Sequence, residues 1–288
     1  MVWSAVHQYI EAMIRGGQLR WPTLCRVCHR WQGQTVCAHC LLAAQLDVPR
    51  CQRCATRTRL AGGLCQSCED GPPVFDHAVA ALDYALPWNS LIVSLKFKQD
   101  PAIARALAQM LAQAVRQRWG PRQPCAPDAQ APTTPRRLRA GAPTVLMPVP
   151  LSPQRLRERG YNQAGLLAHH LGRSLGVPVQ HEGLIRRRHT ERLMRLDAAE
   201  REAHIRHAFA VHPASLKHIQ RRHVAVVDDV LTSGATLNEI ARTLWQAGAR
   251  EVSVWVVART PLPEPLQTDR SPQADPSAGI WQDTELLD

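Results

Sequence analysis

The chain has 288 residues, 45% hydrophobic and 20% charged. That is ordinary globular usage with room for two domains, and it excludes a wholly disordered or collagen-like protein. The formal charge of +11 rests on arginine, since Lys96, Lys98 and Lys217 are the three lysines; such a surface suits polyanionic partners, either nucleic acid or phosphorylated metabolites, and equally fits an arginine-rich genome.

No window approaches the roughly 18 consecutive apolar residues of a membrane-spanning helix. Glu11, Arg15 and Arg20 interrupt the first apolar stretch, so neither a span nor a secretory signal is expected, and a cytoplasmic location is. Val6, Ile10, Met13 and Ile14 share one helical face, which predicts a short amphipathic helix within residues 1–20.

Eight of the nine cysteines then form four Cys-x-x-Cys pairs: Cys25 and Cys28, Cys37 and Cys40, Cys51 and Cys54, Cys65 and Cys68. Two thiolates on one tight turn can point at one cation, and two such turns close a tetrahedral zinc site. A disulfide framework would need an oxidising compartment. The pairs are separated by eight, ten and ten residues, so sequential pairing gives two consecutive zinc ribbons over 21–71, although spacing alone leaves interleaved pairing open. Four thiolates leave no position for water, and both Zn²⁺ sites are therefore read as structural. Cys125 stands alone.

After the last knuckle, Ala78 to Ala85 reads as a strand, followed by helical patterns from about Pro87 to Phe97 and Ala102 to Arg118. Residues 120–143 hold proline, glycine, alanine and arginine with almost no large apolar side chain, the composition of a flexible insertion, and the tail over 261–288 is similar. From Thr144 onward strands and helices alternate: Val145 to Val149, a helix from Asn162 to Gly176, a strand over Val177 to Gly183, another over His223 to Val227, a helix from Ala235 to Ala247 and a strand over Val252 to Ala258. Short valine-rich runs between helices predict a parallel α/β sheet covered on both faces, spanning 76–260.

The chemistry concentrates in Val224-Ala225-Val226-Val227-Asp228-Asp229-Val230-Leu231-Thr232-Ser233-Gly234-Ala235-Thr236. A buried strand delivers two carboxylates at its carboxyl end, where open α/β sheets bind ligands. Gly234 lets the backbone approach a phosphate, Thr232, Ser233 and Thr236 offer hydroxyls, and the amides that open the following helix carry partial positive charge. Asp228 and Asp229 can accept hydrogen bonds from ribose hydroxyls or help to hold a hydrated Mg²⁺. A sugar phosphate is the implied ligand.

That segment resembles the phosphoribosyl pyrophosphate signature of type I phosphoribosyltransferases. Met147-Pro148-Val149-Pro150-Leu151, Arg155, Arg159-Gly160-Tyr161-Asn162-Gln163, Leu166, Ala247-Gly248-Ala249 and Val257-Ala258-Arg259, together with the cysteine-rich module, resemble the ComF family. The resemblance implies a type I phosphoribosyltransferase-like sheet behind a double zinc ribbon, and a part in natural competence, where single-stranded DNA is imported, or in DNA utilisation. It implies that Asp228 and Asp229 contact the ribose hydroxyls, that Thr232, Ser233, Gly234, Ala235 and Thr236 hold the 5-phosphate, and that Mg²⁺ accompanies phosphoribosyl pyrophosphate. The catalytic residues are not fixed by it; Arg159, Asp228 and Asp229 are the candidates, with Arg155 also placed to meet pyrophosphate oxygens, while Tyr161, Asn162 and Gln163 could equally fix the loop. The arginine cluster from Arg186 to Arg201 resembles the family's mobile segment but departs from it at Leu193 and His204. Two readings follow: a phosphoribosyltransferase of unknown acceptor, or a non-enzymatic single-stranded-DNA-binding adapter of the uptake machinery with a sensing or vestigial site.

Overall fold

The computed structural model describes residues 23–44, 48–59, 62–120, 138–188 and 205–261. The helix expected within residues 1–20, the centre of the proline-rich insertion, the tail beyond Pro261, Cys125, Leu193 and His204 lie outside the described residues.

The chain opens with two small knuckled units. Strands β1 (Thr23–Leu24) and β2 (Trp31–Gln32) pair antiparallel, and helix α1 (Ala38–Ala43) follows, capped by the Cys37 side chain, which accepts from the Cys40 amide. The second unit ends in α2 (Gln66–Asp70). Strand β3 (His77–Asp83) leads to α3 (Trp88–Phe97) and α4 (Ile103–Trp119). Beyond the insertion come β4 (Val145–Pro148), α5 (Pro153–Arg159), α6 (Gln163–Leu175), β5 (Leu184–Arg186) and β6 (Phe209–Val211). After one 3₁₀ turn over Pro213–His218, β7 (His223–Leu231), α7 (Ala235–Gln246) and β8 (Glu251–Arg259) complete the sheet domain.

The sheet order is β3-β8-β7-β4, and every pairing is parallel. Strand alternation assigns its two faces. Val224 and Val226 pack in one buried cluster with Leu237, Ile240 and Leu244 of α7, whereas Ala225 and Val227 belong to another with Leu107 and Leu111 of α4 and Leu167 and Leu171 of α6. Each fully buried aliphatic side chain contributes about 1.5–3 kcal/mol, and burial on both faces explains why β7 and β8 read as near-continuous valine runs.

Two elements differ from expectation. Val177 to Gly183 does not form a strand: Pro178 has no amide to donate on one side and Pro148 of β4 none to give Gln180 O on the other, so pairing with the sheet edge is limited to the Leu146 amide on Pro178 O and the Gln180 amide on Leu146 O, both 2.9 Å. The strand of this region is β5, antiparallel to β6 in a separate two-stranded sheet. Strand β7 also continues four residues past Val227. Aspartate is a poor strand former, but β8 holds the ladder, with Asp228 opposite Val256 and Leu231 opposite Arg259.

The cysteine-rich units dock on the sheet domain. Cys25, Val36 and Cys40 share the buried cluster of α4, and Arg26 pairs with Asp100 at 2.9 Å. In the second unit Arg50 reaches Asp83 at 2.8 Å, Arg57 pairs with the same carboxylate, and Gln52 O accepts from the Ala78 amide at 3.2 Å.

Candidate functional site

The sulfurs converge in sequence order. Cys25, Cys28, Cys37 and Cys40 form one cluster and Cys51, Cys54, Cys65 and Cys68 the other, with all ligand atoms of each set within 4.8 Å of one another and every thiol free. Sulfurs around tetrahedral zinc at bonds of about 2.3 Å stand about 3.8 Å apart. Here Cys25 and Cys40 lie at 3.9 Å, Cys28 and Cys37 at 3.7 Å, and Cys54 and Cys65 at 3.5 Å. Burial disfavours the Cys25 thiolate, but amides of Cys28, Cys37 and Val27 bring its pKa down to about 6. Burial and the neighbouring sulfurs push Cys40 and Cys68 up. Four crowded thiols cannot all ionise without a cation among them, and each donor set fits structural zinc.

The second site lies at the carboxyl edge of the sheet. Gly234 ends the turn after β7 with φ +84°, a left-handed conformation that strains any other residue. No side chain caps α7, so its opening amides face outward with the helix dipole behind them. Thr232 and Ser233 are exposed and Thr236 is half-buried beside them. Arg259, 7% exposed, fixes the start of this turn: its Nη1 donates to Leu231 O at 2.9 Å and to Thr232 O at 2.7 Å, while Nε donates to Cys54 O of the second knuckle unit at 3.1 Å.

The adjacent acids are not equivalent. Asp229 is 2% exposed and ion-paired to Lys96 of α3 at 2.7 Å; its Oδ2 is buried without a hydrogen-bond partner. Asp228 is half-buried, and its Oδ1 accepts from the Asp229 amide at 2.8 Å. Burial, then the charge on Asp229, raises the Asp228 carboxyl to about 7, against the pull of Lys96 and Arg159. Burial and the nearby Arg155 lower Arg186 at the end of β5 to about 10, while Asp228 supports its charge. Arg159 of α5 and Arg186 of β5 therefore both act on Asp228, and Arg155, also of α5, lies near Arg186.

The loop after β4 is fixed by its own polar residues. Ser152 caps α5 by accepting from the Arg155 amide, and Asn162 caps α6 through Oδ1 while its Nδ2 donates to Val149 O at 3.0 Å. Tyr161 donates its hydroxyl to Leu95 O at 2.5 Å, beside Lys96. Arg159 donates to Gln163 Oε1 at 2.9 Å and lies 5.3 Å from the centre of the Phe97 ring. Tyr161, Asn162 and Gln163 thus act on the loop and helix geometry. Sequence reasoning missed Lys96 and the bridging role of Arg259; lysine's rarity was the one signal for the former.

A covered parallel sheet with paired acids, a glycine turn and an uncapped helix at its carboxyl edge, joined to two four-cysteine units, defines a phosphoribosyltransferase-like α/β protein with zinc-ribbon modules. No family model matches the chain. It is 35% identical over 211 residues to Competence protein F of Haemophilus influenzae, covering 73% of this chain and 85% of that protein. It is 33% identical over 248 residues to DNA utilization protein YhgH of Escherichia coli K12, covering 83% and 98%, and 32% identical over 120 residues to Competence protein ComFC of Bacillus subtilis, covering 40% and 45%. The chain belongs to the ComF family. Among solved structures, an allosteric regulatory enzyme of purine biosynthesis aligns at TM-score 0.32 and 22% identity, covering 54% of this chain and 26% of that one. The glutamine phosphoribosylpyrophosphate amidotransferase of B. subtilis aligns at TM-score 0.32 and 23% identity, covering 53% and 25%. This chain spans about a quarter of either enzyme, and the alignments are too loose to bear on the site.

Proposed function

We propose that the crevice over the turn between β7 and α7 binds 5-phosphoribosyl-1-pyrophosphate with Mg²⁺, in a protein that serves DNA uptake or DNA utilisation. The observation that carries this reading is the junction itself: an uncapped helix start behind left-handed Gly234, with Asp228 beside it under the charges of Arg159 and Arg186. The 5-phosphate would rest on the segment Thr232–Thr236, where amide dipoles and hydroxyls favour an anion. Asp228 would accept from the ribose hydroxyls, and Arg155 and Arg186 would meet the pyrophosphate.

The donors present suit Mg²⁺, a hard cation that takes carboxylate oxygen and keeps water; the unpartnered Asp229 Oδ2 is one such buried oxygen. Bound there, the ion would neutralise charge on the departing pyrophosphate. The residues of the chain then have two tasks in phosphoribosyl transfer. They orient the anomeric carbon, and their guanidinium groups stabilise the leaving group as the glycosidic bond breaks. No nucleophilic side chain is needed. The setting is supported by the relatives, one named for competence and another for DNA utilization.

Isothermal titration with phosphoribosyl pyrophosphate tests the reading. Binding should require Mg²⁺ and be lost in Asp228→Asn; absence of binding at saturating Mg²⁺ would contradict it. Pyrophosphate release with candidate acceptors then separates a transferase from an adapter that only senses the ligand.

A further inference from the structure

The two cysteine units are fastened to different parts of the sheet domain. Contacts of the first run to α4 and to Asp100 ahead of it. The second reaches the turn between β7 and α7. Arg259 Nε donates to Cys54 O at 3.1 Å, while Nη1 of the same guanidinium donates to Leu231 O, Thr232 O and Thr260 O at 2.9, 2.7 and 3.0 Å. Cys54 is itself one of the four sulfur donors of its cluster, so the knuckle that closes on a metal also sets the position of this carbonyl.

Little else holds that unit together. Among its described residues Cys51, Ala55, Thr56 and Cys68 are the buried ones, and two of these are donors. A unit with so small an apolar core takes its folding energy from the metal, and without it the knuckle from Cys51 to Cys54 opens. Opening also frees a competitor for Arg259. Asp83 lies opposite Arg259 in the ladder of β3 and β8. Asp83 is held by Arg50 at 2.8 Å and by Arg57, both from the second unit. Burial lowers the Arg50 guanidinium, Asp83 supports its charge, and Arg57 and Arg259 both press against it, which places all four groups on one side of the sheet. Once Arg50 and Arg57 leave, the cross-strand neighbour left to Asp83 is Arg259. A guanidinium turned to that carboxylate makes the stronger, charge-assisted bonds there and no longer holds the carbonyls of Leu231 and Thr232.

We propose that the second cysteine unit, when closed on zinc, keeps the sugar-phosphate site in its binding form, and that the Arg259 side chain is the element with two settings. It sits on Cys54 O and the turn when the unit is closed, and on Asp83 when the unit is open. The ligand's part in this regulation rests on the reading of the crevice as a sugar-phosphate site. Loss of zinc from the second unit withdraws the support of the turn and weakens ligand binding. By linkage, bound ligand must tighten zinc in the second unit by the same factor, and the first unit has no share in it.

The test passes the full protein through buffers of falling free Zn²⁺ and follows amide exchange by mass spectrometry. A polypyridyl chelator sets the free zinc, because its nitrogen donors take zinc and leave Mg²⁺ in solution. Without ligand, protection at residues 231–236 should be lost at the same free Zn²⁺ as protection at residues 51–56; a turn that stays protected after the second unit has opened would overturn the proposal. With saturating phosphoribosyl pyrophosphate and Mg²⁺, the free Zn²⁺ at half-loss in residues 51–56 should fall at least about tenfold, and that for residues 25–40 should move by less than about twofold. An equal shift in both units would be general stabilisation and would also overturn the proposal. Arg259→Leu at saturating ligand should show no such shift, and a full shift in that variant would remove Arg259 from the coupling. Absence of ligand binding by calorimetry, with the turn and the second unit still opening together, would contradict the ligand and uphold the zinc control of the turn.

Discussion

Removing the Arg259 guanidinium should loosen the turn between β7 and α7 and the second cysteine unit together, because one buried side chain holds both. Its bonds to Leu231 O and Thr232 O, at 2.9 and 2.7 Å, reach the turn; the bond to Cys54 O, at 3.1 Å, reaches the knuckle. Hydrogen bonds from a charged group contribute about 1.5–3 kcal/mol each. The two on the turn therefore place about 3 kcal/mol at stake in Arg259→Leu even at the low end of that range. Arg259→Lys keeps the charge but not the planar fork, and should recover little. The assay is amide exchange at Leu231–Thr236 and Cys51–Thr56, with a urea titration and ligand titration on the same protein. Faster exchange in both segments and an affinity at least about tenfold weaker, equivalent to about 1.4 kcal/mol, are expected. A loss of global stability with exchange in the turn and affinity unchanged would refute the coupling.

Lys96→Met should destabilise the protein by about 3–5 kcal/mol, since it strands a carboxylate that is 3% exposed; a urea titration that moved by less than about 1 kcal/mol would argue against the pair. Ligand affinity should rise as pH increases through about 7, because burial and Asp229 hold the Asp228 carboxyl up there and only its ionised form can accept from two hydroxyls. Between pH 6 and 8 the ionised fraction grows about tenfold; titrations over that range should show a dependence that exceeds ligand ionisation. Chelation should lower the melting temperature of the whole protein rather than of a detached module, since Cys25 and Cys40 share a buried cluster with α4. A separate early transition with the sheet domain unmoved would contradict that docking.

What the sequence disclosed depended on how local the signal was. The two metal-type sites could be read from the two residues between thiols, but spacing left interleaved pairing open, and it is the fold that closes the clusters in sequence order. The sheet could be read because strands buried on both faces must be apolar throughout, as in Val224–Val227. The acidic pair with its glycine turn could be read as a unit because all its parts lie within one strand and one helix start. Its inequivalence could not. Asp229 is distinguished by Lys96, more than a hundred residues earlier, which Tyr161 helps to place through Leu95 O. Arg259 looked like the end of a strand, and nothing local says that its side chain turns back onto Leu231 and Thr232. The strand expected over Val177–Gly183 failed because Pro178 and, across the ladder, Pro148 lack the amides that would extend the pairing.

The most direct trial of the central claim is a crystal structure of the protein with phosphoribosyl pyrophosphate and Mg²⁺. The account predicts the 5-phosphate on the amides that follow Gly234, the ribose hydroxyls on Asp228 and the pyrophosphate between Arg155 and Arg186. Ligand bound elsewhere on the molecule, with this turn closed by its own side chains, would contradict it.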